Sequence, residues 1–270
     1  MFKMFDEYIV NHDENRMYDE GDVALARRKY YSASNNNLFV LLQNRYEWMN
    51  KYIDDNDIGI EFGAGSGFSK EFIKVDNFRM TDYAEYDWLD EKQIDALNTP
   101  YKENSFDFIV SSNMIHHIPY PLRYLKEMSR ILKPDGKLLI QDVNASVMLK
   151  FILRLMKHEG YSYNHDVFDE EDICTKKDDL WSGNNAIPNL LFDDIKKFNN
   201  KINFFKVLKT DFSEFLLFLN SGGVVSKTFF IPLPVSILKL IKQIDLILCS
   251  YCPRLFALQR RIVLLNIKSN

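Results

Sequence analysis

The residues with the clearest chemistry run Ile58-Gly59-Ile60-Glu61-Phe62-Gly63-Ala64-Gly65-Ser66-Gly67. An apolar run reaches an acid, and a glycine-rich turn follows. Glycine lets a backbone turn sharply and approach a ligand where a side chain would clash. A dinucleotide fingerprint requires G-x-G-x-x-G, and Phe68 stands where its last glycine would be. A phosphate-gripping loop requires Gly-Lys followed by Ser or Thr, which the stretch lacks. Glu61 is a poor neighbour for a pyrophosphate and suits a ligand with an ammonium group and a cationic sulfur.

Further chemistry follows at strand ends. Asp82 lies 19 positions after Gly63, where an acid can accept hydrogen bonds from ribose hydroxyls. Asp95-Ala96 closes a short apolar run, and Asn104–Val110 leads into Ser111–His117. Arg130-Ile131-Leu132-Lys133-Pro134-Asp135-Gly136-Lys137-Leu138 joins a helix to the next strand. Together these segments resemble the class I S-adenosylmethionine-dependent methyltransferases, in the small-molecule branch. The first motif of that superfamily is E/D-x-G-x-G-x-G, and its R-x-L-K-P-G-G-x-L connection is matched with Asp135 in place of a glycine. The resemblance is close over residues 56–145 and weak elsewhere.

The resemblance implies S-adenosyl-L-methionine as cofactor, held by Glu61, Gly63, Ala64, Gly65, Gly67, Asp82, Tyr83, Asp95, Ala96 and Asn113. It places His116 and His117 on the rim where the methyl is transferred. A histidine there can take a proton from a hydroxyl acceptor near neutral pH. Equally, holding donor and acceptor in line can supply most of the acceleration while the histidines only shape the pocket. Asp142, at the end of the fifth strand, is either a cleft residue or a strand-end cap. The segment Asp178–Asn189 reads as a substrate lid or a surface loop.

These residues need a scaffold, and the pattern supplies one. Strands are expected at Asp57–Phe62, Phe78–Tyr83, Gln93–Leu97, Phe106–Ser112 and Lys137–Val143, with helices at Ser66–Val75 and Pro121–Leu132. Only about ten residues separate Asp82 from the third strand, so the helix between them is cut to a turn or two. Lys201–Phe212 and Arg260–Lys268 read as closing strands. Alternation of short apolar strands with amphipathic helices implies an α/β, Rossmann-like fold. The expected form is a mostly parallel seven-stranded sheet with helices on both faces and a helical insertion before the last strand. One structural domain is expected, in four parts: a helical lid at 1–55, the cofactor core at 56–145, a lid and substrate segment at 146–200, and closing strands at 201–270.

Composition narrows the partners. The net charge of −4, with acids and bases interleaved, disfavours nucleic acid; the run Arg27-Arg28-Lys29 reads as a solvated helix face. Cys174, Cys249 and Cys252 form no disulfide framework and no zinc set, and read as buried structural thiols in a reducing cytoplasm. His158 and His165 are six residues apart in the intervening sense, a spacing that does not present two ligands on one face, so no metal is expected. The apolar, amphipathic segment 213–259 suits either core packing or peripheral contact with the inner face of a membrane. The acceptor class is a small molecule, a glycan or a lipid-linked intermediate, methylated at a hydroxyl. The alternatives are a non-catalytic S-adenosylmethionine-binding protein and, more remotely, a nicotinamide-dependent oxidoreductase.

Overall fold

Runs of β-branched and aromatic residues build one sheet from β1 (Gly59–Phe62), β2 (Phe78–Thr81), β3 (Phe106–Ser112), β4 (Leu132–Val143), β5 (Phe205–Ser213) and β6 (Gln259–Asn266). The computed structural model describes residues 6–10, 23–32, 35–157, 159–177, 179, 181–224 and 229–268. The expected sites at His158 and Asp178 lie outside these. Spatially the strands run β2-β1-β3-β4-β6-β5. The first four are mutually parallel, and β6 is antiparallel to both β4 and β5.

The strands show why two helical layers are needed. Leu138 and Ile140 point to one face and Leu139 to the other; in β6, Ile262 and Leu264 oppose Val263. Successive side chains alternate faces, so both faces are apolar and both must be covered. Among the described residues the α-helices longer than a single turn are α1 (Val23–Ser32), α2 (Asn36–Tyr46), α3 (Pro121–Ile131), α4 (Val147–Met156), α5 (Ile187–Phe192), α6 (Ile195–Lys201) and α7 (Val235–Tyr251). One layer holds α3, α5 and α6, with Tyr124, Leu125, Met128 and Ile131 buried at helical spacing. The other holds α2 and α7, packed over Phe108, Val110 and Leu139. Asn35 starts α2 by accepting the Leu38 N–H at 3.1 Å, and Ser146 starts α4 by accepting that of Leu149 at 3.2 Å.

Two expected elements are changed. In place of a helix over Ser66–Val75 there is a single 3-10 turn, Phe68–Glu71. The Asn50 side chain donates to the Phe72 carbonyl at 2.7 Å and accepts the Lys74 N–H at 2.9 Å. Those are backbone groups a continuing helix would use itself. The strand expected at Gln93–Leu97 is reduced to one parallel bridge between Thr81 and Glu91. Asp90 accepts the Met80 N–H at 2.8 Å through its side chain, and the Asp90 N–H donates to the Met80 carbonyl at 3.0 Å. A loop thus occupies the outer edge of β2, and Gln93, at φ 55°, turns the chain out of extended geometry. Among the described residues the sheet therefore has six strands. Cys174 and Cys249 are buried as expected, but Cys252 is exposed.

Candidate active site

Because β1 leads to β2 on one side and the chain then returns to β3 on the other, the sheet has a switch point beside β1. Ligands of open α/β sheets bind beyond the strand C-termini at such a point. There the structure has a cavity of about 530 Å³. Its walls carry Gly63, Ala64 and Gly65 after β1, Asp82 and Tyr83 after β2, and Asn113 after β3. Asp95, Ala96, His116 and His117 line it too. Two expected cofactor residues are not on the wall: Glu61 lies buried beneath the turn, and Gly67 lies under Trp88.

The glycine turn is built for close approach. Gly63, Gly65 and Gly67 have φ of 69°, 49° and 67°, a region that side chains disfavour. At Gly65 a Cβ would meet nothing within 4 Å, so the turn faces open space. Asp82 braces it by accepting the Gly65 N–H at 2.8 Å, while its other oxygen accepts the Ala84 N–H at 2.8 Å. Each carboxylate oxygen keeps a further acceptor site. Burial raises the Asp82 pKa, and the N–H groups of Ala84, Gly65 and Tyr83 oppose that rise. Above the turn sits α1. Arg27 donates to the Ser66 carbonyl at 2.6 Å, and its guanidinium lies 4.8 Å from the Tyr31 ring centre and 5.1 Å from that of Trp88. Arg27 is thus a clasp, whereas its neighbours Arg28 and Lys29 are exposed.

Glu61 is the strained member. One oxygen accepts the Ser69 hydroxyl; the other, Oε1, is buried with no hydrogen-bond partner among the described residues. Burial pushes its pKa up to about 8, the Asp82 charge adding to the rise and the Ser69 hydroxyl opposing it. In the unfolded chain the carboxyl ionises near its ordinary value, so stability is full below that value and falls as pH climbs towards 8. Glu61→Gln does not titrate. It is expected to exceed the parent by about 1–3 kcal/mol at pH 8 and to match it near pH 5, in urea unfolding at both.

A second cluster stands at the far wall. Asp142, wholly buried at the end of β4, accepts N–H groups from Met114 at 3.0 Å and Ile115 at 2.8 Å. Its other oxygen lies 2.6 Å from His116 Nδ1. Asp142 is therefore the cap of the two alternatives: it does not line the cavity and acts on it through His116. Met114 and Ile115 sit between β3 and the histidines, so the same carboxylate fixes the loop and the ring. Helix α4 ends with Lys157 at φ 53°, and the reversed chain brings Glu159 back to the cavity. His116 Nε2 is 3.5 Å from one Glu159 oxygen and His117 Nε2 is 3.8 Å from the other. Asn185 steadies Glu159 with a 2.9 Å hydrogen bond. Trp181 and Asn185, from the segment read as lid or loop, do line the cavity. Sequence reading missed Glu159 and Asn185, which belong to no motif and reach the site only through the fold.

The two rings differ. His117 Nδ1 lies 3.2 Å from the Ser182 carbonyl. A carbonyl only accepts, so Nδ1 carries the proton and Nε2 keeps a free lone pair. Burial, then the neighbouring His116, pushes the His117 pKa down to about 4. For His116 burial acts in the same sense, but the Asp142 and Glu159 carboxylates outweigh it and raise the pKa. A proton shared by the pair thus favours His116 over His117.

The cradle fits the expected cofactor on its own geometry: an open glycine turn, a wall carboxylate with spare acceptor sites, and a buried glutamate oxygen awaiting a donor. The methyltransferase domain family matches residues 35–189, more than half of the chain. An uncharacterised protein of Methanocaldococcus jannaschii is 34% identical over 96 residues, which are 35% of this chain and 42% of that protein. The demethylmenaquinone methyltransferase of Bacillus mycoides is 31% identical over 68 residues, 23% of this chain and 29% of that enzyme. The chain thus matches less than half the length of either curated relative. A SAM-dependent methyltransferase of Archaeoglobus fulgidus has a TM-score of 0.53 to this chain at 14% identity, covering 91% of this chain and 100% of that one. That likeness is one of fold. The chain belongs to the methyltransferase domain family.

Proposed function

We propose that the protein transfers a methyl group from S-adenosylmethionine to a hydroxyl of an apolar small-molecule or lipid-linked acceptor. One observation carries this reading: a single cavity joins the glycine turn to the histidine pair and to apolar side chains of α4. When bound, the cofactor supplies an activated sulfonium methyl. Gly63, Gly65 and Asp82 hold it from the wall, with Glu61 beneath. Tyr83, more than half exposed, and Asp95 and Ala96 serve the rim on the side of the shortened third strand.

His117 Nε2 accepts the proton that the acceptor hydroxyl releases as its oxygen forms the new bond. His116, whose protonated form the Asp142 and Glu159 carboxylates favour, holds Glu159 in place and disfavours a second proton on His117. Leu149, Ile152, Leu153 and Met156 on α4 give the acceptor an apolar wall. That wall is in keeping with the apolar compound in the name of one relative, the demethylmenaquinone methyltransferase. The test is a transfer assay with methyl-labelled S-adenosylmethionine against quinols, phenols and polyprenyl-linked sugars. Label appearing in an organic-soluble product, with one S-adenosylhomocysteine formed per methyl, supports the reading. Tight cofactor binding with no transfer to any hydroxyl would overturn the hydroxyl reading.

A further inference from the structure

The second half of the chain carries an apolar surface that the cavity does not use. In α7, Ile237, Leu240, Ile244, Ile247 and Tyr251 recur at alternating spacings of three and four, and all are exposed. This spacing sets them on one stripe along the helix. Leu238, Asp245 and Cys249 are buried on the opposite side. Helix α7 is therefore apolar on two sides, and the protein covers only one. Phe229 and Ile231, just before the helix, are exposed as well. The turn Pro253–Phe256 packs against both α7 and α4 and leaves Leu255 exposed. Beyond it α4 presents Val147, Phe151 and Leu155, a second exposed stripe at spacings of four.

Charge decides what covers this surface. On and around this surface stand Lys239 and Arg254, both exposed, and the half-buried Lys242, while residues 215–270 hold one acid, in a chain whose net charge is −4. The one acid is Asp245, which is buried and accepts N–H groups from Phe215 at 3.0 Å and Leu216 at 2.8 Å. It offers nothing to the surface. Just after α4, Lys157 is exposed too, whereas Lys150 and Arg154 of the helix are half-buried over the rings of Tyr8, Tyr161 and Tyr163. Isologous pairing of two copies would set these cations against cations. An anionic bilayer satisfies the apolar stripes and the cations together.

We propose that α4, α7 and the turn between them dock onto an anionic lipid bilayer, from which the acceptor enters the cavity. The docking stands on the surface alone; the entry of the acceptor rests on the proposed hydroxyl methylation. Helix α4 links the two. Its outer side chains Val147, Phe151 and Leu155 meet the lipid, while Leu149, Leu153 and Met156 line the cavity.

The full chain is sedimented with vesicles of phosphatidylcholine and with vesicles containing phosphatidylglycerol. It is expected to pellet with the second and to be released by high salt. Leu240→Glu with Ile247→Glu lowers that partition by at least about tenfold, and Lys239→Gln with Arg254→Gln weakens it while blunting the salt response. These side chains are exposed, so thermal unfolding of the variants reports whether the fold is kept. Failure of the folded parent to bind anionic vesicles overturns the proposal. So does a parental dimer in ultracentrifugation that the glutamate variants dissociate, which would name a second copy as the occupant. Calorimetric titration with S-adenosylmethionine runs alongside. The surface variants keep parental cofactor affinity. Loss of cofactor binding in the parent would sink the methyl-transfer reading and leave the vesicle result standing.

Discussion

His117→Ala lowers kcat by about 10²–10⁴-fold and leaves the affinity for S-adenosylmethionine unchanged. The expectation follows from proton inventory. Asp142 engages His116 Nδ1 at 2.6 Å and so fixes that ring as a donor towards the carboxylate. Only His117, whose Nδ1 faces the Ser182 carbonyl, presents a neutral nitrogen to the cavity. Its pKa, pushed down to about 4, also sets the pH dependence. Activity falls on the acid side as His117 gains a proton near 4, well below an ordinary imidazole, and is level through neutrality. The measurement is steady-state kinetics of parent and variant from about pH 3 to about pH 8, where the variant also loses the acid limb. A variant within about threefold of the parent would mean that positioning alone supplies the rate.

Gly65→Arg is the second large effect. It reduces affinity for S-adenosylmethionine and S-adenosylhomocysteine by at least about a hundredfold while the fold persists. A Cβ at this position meets nothing within 4 Å, so the protein interior is undisturbed and the long side chain runs into the cavity. The cost to stability is the left-handed backbone at φ 49°, about 1–2 kcal/mol. Gly63 provides the contrast: a Cβ there would stand 2.6 Å from Met114 Cγ, so Gly63→Ala loses stability as well as binding. Calorimetry beside thermal unfolding separates the two. Parental affinity in Gly65→Arg would show that the ligand does not approach this turn.

The contrast between these glycines also shows what was legible in sequence. Motif spacing located the glycine turn, Asp82, Asn113 and the histidine pair, because each sits at a strand end that topology brings to one edge. Strand alternation and the Pro121 helix were equally clear, since both depend on local periodicity. The helix expected after Gly67 failed because Asn50, more than 20 positions away, takes its hydrogen bonds. The third strand failed because Asp90 and its neighbours satisfy the edge of β2 first. Neither competitor leaves a mark in a periodicity. Glu159 escaped notice for the same reason: its role exists only after Lys157 reverses the chain. Arg27 was misread because a clasp and a solvated arginine look alike until Trp88 and Ser66 are placed.

The position of β6 has a kinetic consequence. This strand, late in the chain, is inserted between β4 and β5 and not added at an edge. It also reaches the site, where Gln259 donates to Asn113 at 2.8 Å across 146 residues of sequence. Pairings so remote in sequence close late and slow the search for the native state. Until residues 259–266 arrive, β4 has one open edge and Asn113 lacks its partner. During synthesis, the parallel half of the sheet would therefore wait with an apolar flank uncovered, the stage at which a chaperone has most to hold.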